Sequence, residues 1–160
     1  DPAVGAMVEL KCESAPVTKH EEFIQLAGDL AQQLATELGA AGFAVVSGMA
    51  RGIDAAAHRG ALESGTLAVM GGGVDVVYSK QNAALYEEIV ARGVVIAEPP
   101  LGTVPQARHF PRRNRIISGM ARGVLVVDAT SGNPLWETRE GISPERLLNA
   151  RPFETNTGTI

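Results

Sequence analysis

The sequence predicts an α/β fold in which helices cover both faces of a parallel sheet. Three observations carry this. Helix-type and strand-type segments alternate along the chain. The strand-type segments are continuous apolar runs, as expected of strands buried on both faces. Glycine-rich turns follow those runs, and open α/β sheets take their ligands outside the carboxyl ends of their strands. The 160 residues suit one compact domain, since domains commonly run to roughly 100–200 residues.

Taken in order, residues 1–17 are small, mixed and unpatterned, apart from a candidate edge strand at 6–10. Thr18-Lys19-His20-Glu21 has the spacing of a capping box, with Thr18 as N-cap and Glu21 reaching back. Phe23, Leu26, Ala27, Leu30, Leu34 and Leu38 then recur at three and four, which predicts an amphipathic helix ended by Gly39 or Gly42. The apolar run 43–46 is the first strand. A turn at Ser47-Gly48 leads to a helix over 53–64, stopped by Gly65. The second strand, 66–70, ends in Gly71-Gly72-Gly73. A helix over 82–92 stops at Gly93, and 94–97 is the third strand. A long loop holds Pro99, Pro100, Pro105 and Pro111. It leads to a helix over 113–120 and a fourth strand at 124–127. The core therefore spans 18–130, and the tail 131–160 is poorly patterned, with a brief helical stretch at 144–149.

Composition narrows the function classes. With 45% hydrophobic and 20% charged residues, the chain reads as an ordinary soluble globular protein. Aromatics make up only 4%, so aliphatic side chains and alanine must build the core. The single cysteine, Cys12, has no internal disulfide partner and points to a reducing compartment. No apolar run approaches the roughly 20 residues of a membrane span, and no signal-peptide pattern opens the chain. A cytoplasmic protein is expected. The net charge of -4 argues against a chain that coats nucleic acid indiscriminately. By position the charge is uneven: residues 99–127 hold five arginines and no acid, so the remainder sums to -9.

Three constellations could carry chemistry. The first is Ser47-Gly48-Met49-Ala50-Arg51-Gly52-Ile53-Asp54, between a strand and a helix start. Glycines admit a close ligand, helix N-termini favour anions, and the Arg51 fork matches phosphate. A tight structural turn with Asp54 as first-turn acid is the plainer alternative. The run is not G-x-G-x-x-G, and no P-loop lysine follows. The second is Gly71-Gly72-Gly73-Val74-Asp75. There the glycines suggest close approach of a ligand, and Asp75 either bonds a sugar hydroxyl or braces the loop. The third is Arg108-His109-Phe110-Pro111-Arg112-Arg113-Asn114-Arg115. Polyanion contact needs local positive charge, and His109 and Phe110 could stack on a base. Arg112, Arg113 and Arg115 sit at and just inside the expected helix start, where they can join backbone N–H groups on phosphate. The alternative is a solvated basic face, or arginines paired with acids such as Asp54 and Asp128.

Weaker candidates complete the reading. His58 lies four residues after Asp54, a spacing that suits a structural hydrogen bond. Glu98, after the third strand, is either a general base or a cap for the long loop. The three histidines are not at metal-ligand spacing, so no metal site is expected. Ser47 and Ser118 lack a His/acid relay, so no catalytic residue is assigned. Trp136 is expected to pack.

The segment Val46-Ser47-Gly48-Met49-Ala50-Arg51-Gly52-Ile53-Asp54-Ala55-Ala56-Ala57-His58-Arg59-Gly60-Ala61-Leu62 resembles a signature of the DprA/Smf family of DNA-processing proteins. Gly71-Gly72-Gly73-Val74-Asp75-Val76-Val77-Tyr78 and His109-Phe110-Pro111-Arg112-Arg113-Asn114-Arg115-Ile116-Ile117-Ser118-Gly119 resemble two further motifs of that family, in the family's order. The resemblance covers 22–129. It implies an extended Rossmann-like three-layer domain with a mostly parallel sheet. It implies binding of single-stranded DNA without sequence preference, a role in natural transformation, protection of incoming strands and help in loading the RecA recombinase. It also implies a homodimer, no cofactor and no catalytic turnover. The implied DNA pocket is Ser47, Gly48, Arg51 and Gly52 with Met49 and Ala50, then Gly71, Gly72, Gly73 and Asp75, then His109, Phe110, Arg112, Arg113, Asn114 and Arg115.

The chain departs from the family pattern in two places. The Gly-Ser/Ala-Arg turn that usually precedes the first helix reads Cys12-Glu13-Ser14-Ala15-Pro16, without arginine, and residues 130–160 do not follow the family's Ser-rich turn, helix and strand. The family's frequent N-terminal helical and C-terminal winged-helix-like domains are not expected here. The runner-up is a Rossmann-like phosphoribohydrolase acting on nucleoside monophosphates. Its Pro-Gly-Gly-x-Gly-Thr run is replaced here by Gly71-Gly72-Gly73-Val74-Asp75. A third reading is a small-molecule nucleotide sensor using the same pocket.

Overall fold

The computed structural model describes residues 20–124. Thr18, Cys12, Trp136, the edge strand at 6–10, the fourth strand beyond residue 124 and the helix at 144–149 lie outside them. The described elements are α1 (Glu21–Ala40), β1 (Val45–Ser47), α2 (Ile53–Ala61), β2 (Thr66–Met70), a 3-10 turn (Lys80–Asn82), α3 (Ala83–Arg92), β3 (Val94–Ala97) and α4 (His109–Met120). The strands form one sheet in the order β1-β2-β3. Both pairings are parallel, with Val45 opposite Thr66 and Leu67 opposite Val94. Parallel neighbours need crossover connections, and α2 and α3 supply them. This is the parallel α/β architecture that the alternation of patterns predicts, and it agrees with the Rossmann-like domain that the family resemblance implies.

Alanine builds much of the interior, as a low aromatic content requires. Met49, Ala55, Ala68, Met70, Leu85 and Ile89 form one buried cluster between β2 and the helices α2 and α3. On α1 the buried residues are Ala27, Ala31, Leu34 and Ala35. The expected apolar stripe is thus kept at Ala27 and Leu34 and departs elsewhere, with Leu26 46% exposed. Small side chains at spacing four, Ala27, Ala31 and Ala35, let α1 lie close against α2, and Leu34 is buried beside them.

Element ends differ from the sequence reading in physically simple ways. α1 begins at Glu21, with His20 as an extended N-cap that offers no side-chain bond. β1 begins at Val45 and includes Ser47. α2 ends at Ala61, and Gly65 then takes a φ of 118° before β2. The largest difference is at α4, which starts at His109 rather than 113. Pro111 is its third helical residue. Proline is tolerated there because the first N–H groups of a helix have no partner within it.

Candidate nucleic-acid interface

The carboxyl ends of β1 and β2, the loops that follow them, and the first two turns of α4 converge on one edge of the sheet. Arg113 ties them together. Its side chain is buried, and Nη1 donates to the carbonyl of Gly48 and, at 3.0 Å, to that of Val69. Nη2 lies 3.3 Å from Asp54 Oδ2. Burial lowers the Arg113 pKa, and the adjacent Asp54 carboxylate opposes that. The sequence reading places Arg113 on phosphate. The structure places it beneath the surface, because α4 begins one turn earlier and turns this residue towards the strand ends. Gly48 is required here: a Cβ would overlap the Arg113 guanidinium.

Asp54 also accepts from the backbone N–H of Ala50 at 3.0 Å. One donor expected to cradle an anion is therefore already engaged inside the turn. Met49 is buried with a φ of 63°, an uncommon conformation for a residue with a side chain. Asn82, itself buried, holds this turn in place by donating to the carbonyls of Met49 at 3.2 Å and Ala50 at 3.3 Å. Arg51 stands on the outside of the turn, exposed and without an ion pair among the described residues. Gly52, with a φ of 84°, opens α2.

The second glycine run meets the protein itself. The Gly73 N–H donates to Thr103 O at 2.8 Å. Asp75 accepts from the Gly102 N–H at 2.8 and 3.0 Å through its two oxygens. A Cβ on Gly72 would strike Thr103 O and the Pro105 ring. The close approach anticipated for Gly71, Gly72 and Gly73 is, at Gly72 and Gly73, made by the proline-bearing loop. Asp75 braces that loop. Gly71 faces Phe110.

On α4, Phe110 carries the Arg113 guanidinium over its ring at 5.1 Å from the centroid. Tyr78 meets the same ring edge-on, with centroids 5.1 Å apart. His109 Nδ1 accepts from the Gln106 N–H at 3.3 Å. Arg112, Asn114 and Arg115 are exposed. Arg112 and Arg115 share one carboxylate: Glu98 Oε2 lies 3.3 Å from Arg112 Nε, and Glu98 Oε1 pairs with Arg115 Nη2. Arg108, at the start of α4, has no ion pair among the described residues.

His58 does not pair with Asp54. It is fully buried, with Nδ1 2.7 Å from the Thr66 hydroxyl, which donates to Val45 O at 2.9 Å. The hydroxyl proton is used there, so Nδ1 carries the ring proton and donates to Thr66. Nε2 has no partner among the described residues. Burial lowers the His58 pKa to about 4, with Asp54 opposing and Arg113 adding to the shift.

Three contributors were not assigned in the sequence reading: Asn82, Tyr78 and the pairing role of Glu98. Glu98 had a visible signal, as the acid that borders the acid-free arginine stretch. Asn82 and Tyr78 had none, because their roles depend on which loops the fold brings together. Among the described residues, no three His, Cys, Asp or Glu side chains gather as metal ligands. No helix there is long and apolar enough to cross a membrane.

The family model of DNA recombination-mediator protein A matches residues 22–138. The chain belongs to this family. The match runs past residue 129, where the motif resemblance ends. The chain is 49% identical over 90 residues to Protein Smf of Synechocystis sp., covering 55% of this chain and 23% of that relative. It is also 49% identical over 87 residues to DNA processing protein DprA of Streptococcus pneumoniae, covering 53% and 31% respectively. It therefore spans a quarter to a third of the length of these relatives. Among solved structures, DprA of Streptococcus pneumoniae superposes with a TM-score of 0.50 and 38% identity over 64% of this chain and 35% of that one. DprA of Helicobacter pylori, reported for its unique single-stranded DNA binding mode, superposes with a TM-score of 0.57 and 28% identity over 61% and 45%.

Proposed function

We propose that this chain is the single-stranded DNA-binding core of a DNA-processing protein in natural transformation and recombination. The observation that carries the reading is the set of exposed arginines, Arg51, Arg108, Arg112 and Arg115, around the strand ends of a fold from this family. Guanidinium groups on a rigid edge bind phosphates without reading bases. Buried Gly48, Asn82 and Arg113, with half-buried Asp54, hold the edge in shape. Protection of single strands, assistance in loading RecA, homodimer formation and a cytoplasmic site of action belong to the same reading. No catalytic step is assigned.

Fluorescence anisotropy with single-stranded oligomers across a salt series tests it. Binding is expected at low salt, weaker for duplex, and to fall linearly on a log–log plot. Arg51→Ala and Arg115→Ala should each lower affinity and reduce the slope by about one. A flat salt response, or variants that bind like the parent, would remove the assignment. Incubation with nucleoside monophosphates should release no free base.

A further inference from the structure

Resting on the single-strand reading, we propose that Tyr78 is a stacking platform for an unpaired nucleobase. The sequence reading gave base stacking to His109 and Phe110. The structure shows Phe110 half-buried and already engaged, with Gly71 against its ring, the Arg113 guanidinium 5.1 Å from its centroid and Tyr78 on its edge. His109 is engaged with the backbone of Gln106. The ring left open at this edge is that of Tyr78, 48% exposed. Its hydroxyl makes no hydrogen bond among the described residues, so the edge-on contact with Phe110 at an interplanar angle of 68° fixes the ring.

That geometry suits a base. A tyrosine ring has only two side-chain torsions to order, so it offers contact area at low entropic cost. Its polar tip can stay in water while a face meets a nucleobase. Phe110 belongs to the first turn of α4, and Arg112 and Arg115 follow within the next turn. Phe110, which carries Tyr78 on its edge, and the phosphate-binding arginines are thus parts of one short helical segment, and Tyr78 reaches it from the loop after β2. A stacked, paired base in a duplex cannot offer its face to Tyr78, whereas an unpaired base can. Tyr78 accordingly supplies preference for single strands, while the arginines supply charge.

The test uses the full chain with two oligothymidylate probes, one intact and one abasic throughout. Tyr78→Ala should weaken binding to the intact strand about tenfold. It should leave binding to the abasic strand and the salt slope unchanged, because no charge is removed. Tyr78→Phe should bind both probes like the parent, which separates stacking from any role of the hydroxyl and serves as a folding control. If Tyr78→Ala weakens both probes equally, or neither, the platform is overturned while the single-strand reading stands. If the parent binds neither probe, that reading itself fails, and the platform with it.

Discussion

Arg113 shows how a residue of DNA-binding type becomes structural through burial. Three acceptors converge on one guanidinium: the carbonyls of Gly48 and Val69, and the Asp54 carboxylate. Arg113→Met leaves all three short of a donor and exposes Asp54 to the loss of its cation. Removing one partner of a buried ion pair typically costs 3–5 kcal/mol. Asp54 is 29% exposed, so water offsets part of this, and about 3 kcal/mol is expected in denaturant unfolding. Arg113→Lys should recover little, because a compact ammonium lacks the wide planar fork whose two terminal nitrogens reach the carbonyls and the carboxylate. Glu98 presents the opposite case. It lies at the surface and holds Arg112 and Arg115, where a phosphate would compete with it. Exposed pairs are worth only about 0–1 kcal/mol, so Glu98→Gln should leave stability unchanged. It should tighten single-strand binding by up to about fivefold and steepen the salt slope by about one. Weaker binding by Glu98→Gln in anisotropy would instead make the carboxylate an organiser of the arginines.

Among the elements, the loop after β3 and the loop after β2 stabilise one another. Asp75 caps the Gly102 N–H with both oxygens, and Thr103 closes onto Gly73. Asp75→Ala removes a charge-assisted bond worth about 1 kcal/mol at this exposed position. Faster proteolytic cleavage near Leu101, which is 73% exposed, should follow, with the global unfolding midpoint nearly unchanged. An intact loop in that variant would mean that the proline ring at 105 holds it alone. These contacts also show where sequence reasoning stops. The strands β2 and β3 were legible to the residue, because each is a largely apolar run opened by a glycine, Gly65 or Gly93. The start of α4 was not, since a proline in the sequence signals a boundary equally well before or within the first turn. The glycine triplet was legible as a place of close approach. What approaches it was not, because Thr103 and Pro105 come from a loop about thirty residues further on, and local pattern carries no such pairing.

At the scale of the molecule, α2 is joined to the sheet by one fully buried titratable side chain. His58 on α2 donates to Thr66 of β2, which donates to Val45 of β1. The ring is neutral in the fold, and among the described residues buried Nε2 has no partner for a second proton. Asp54 and Arg113, the charged groups acting on it, pull in opposite directions, and burial decides the outcome. A histidine whose folded pKa is lowered binds its proton more readily in the unfolded chain. Its contribution to stability is therefore intact above the unfolded value of 6.5 and is lost as pH falls towards about 4. At full titration this amounts to roughly 3 kcal/mol, a large share of the 5–15 kcal/mol typical of whole domains. Urea unfolding across that pH range should show the loss. His58→Gln, which keeps a donor for Thr66 and does not titrate, should start less stable but decline less steeply over the same range. Equal slopes in the two proteins would place the acid sensitivity in the carboxylates instead. The parent's slope between pH 6.5 and 4 thus measures how firmly this linkage between helix and sheet is sealed from water.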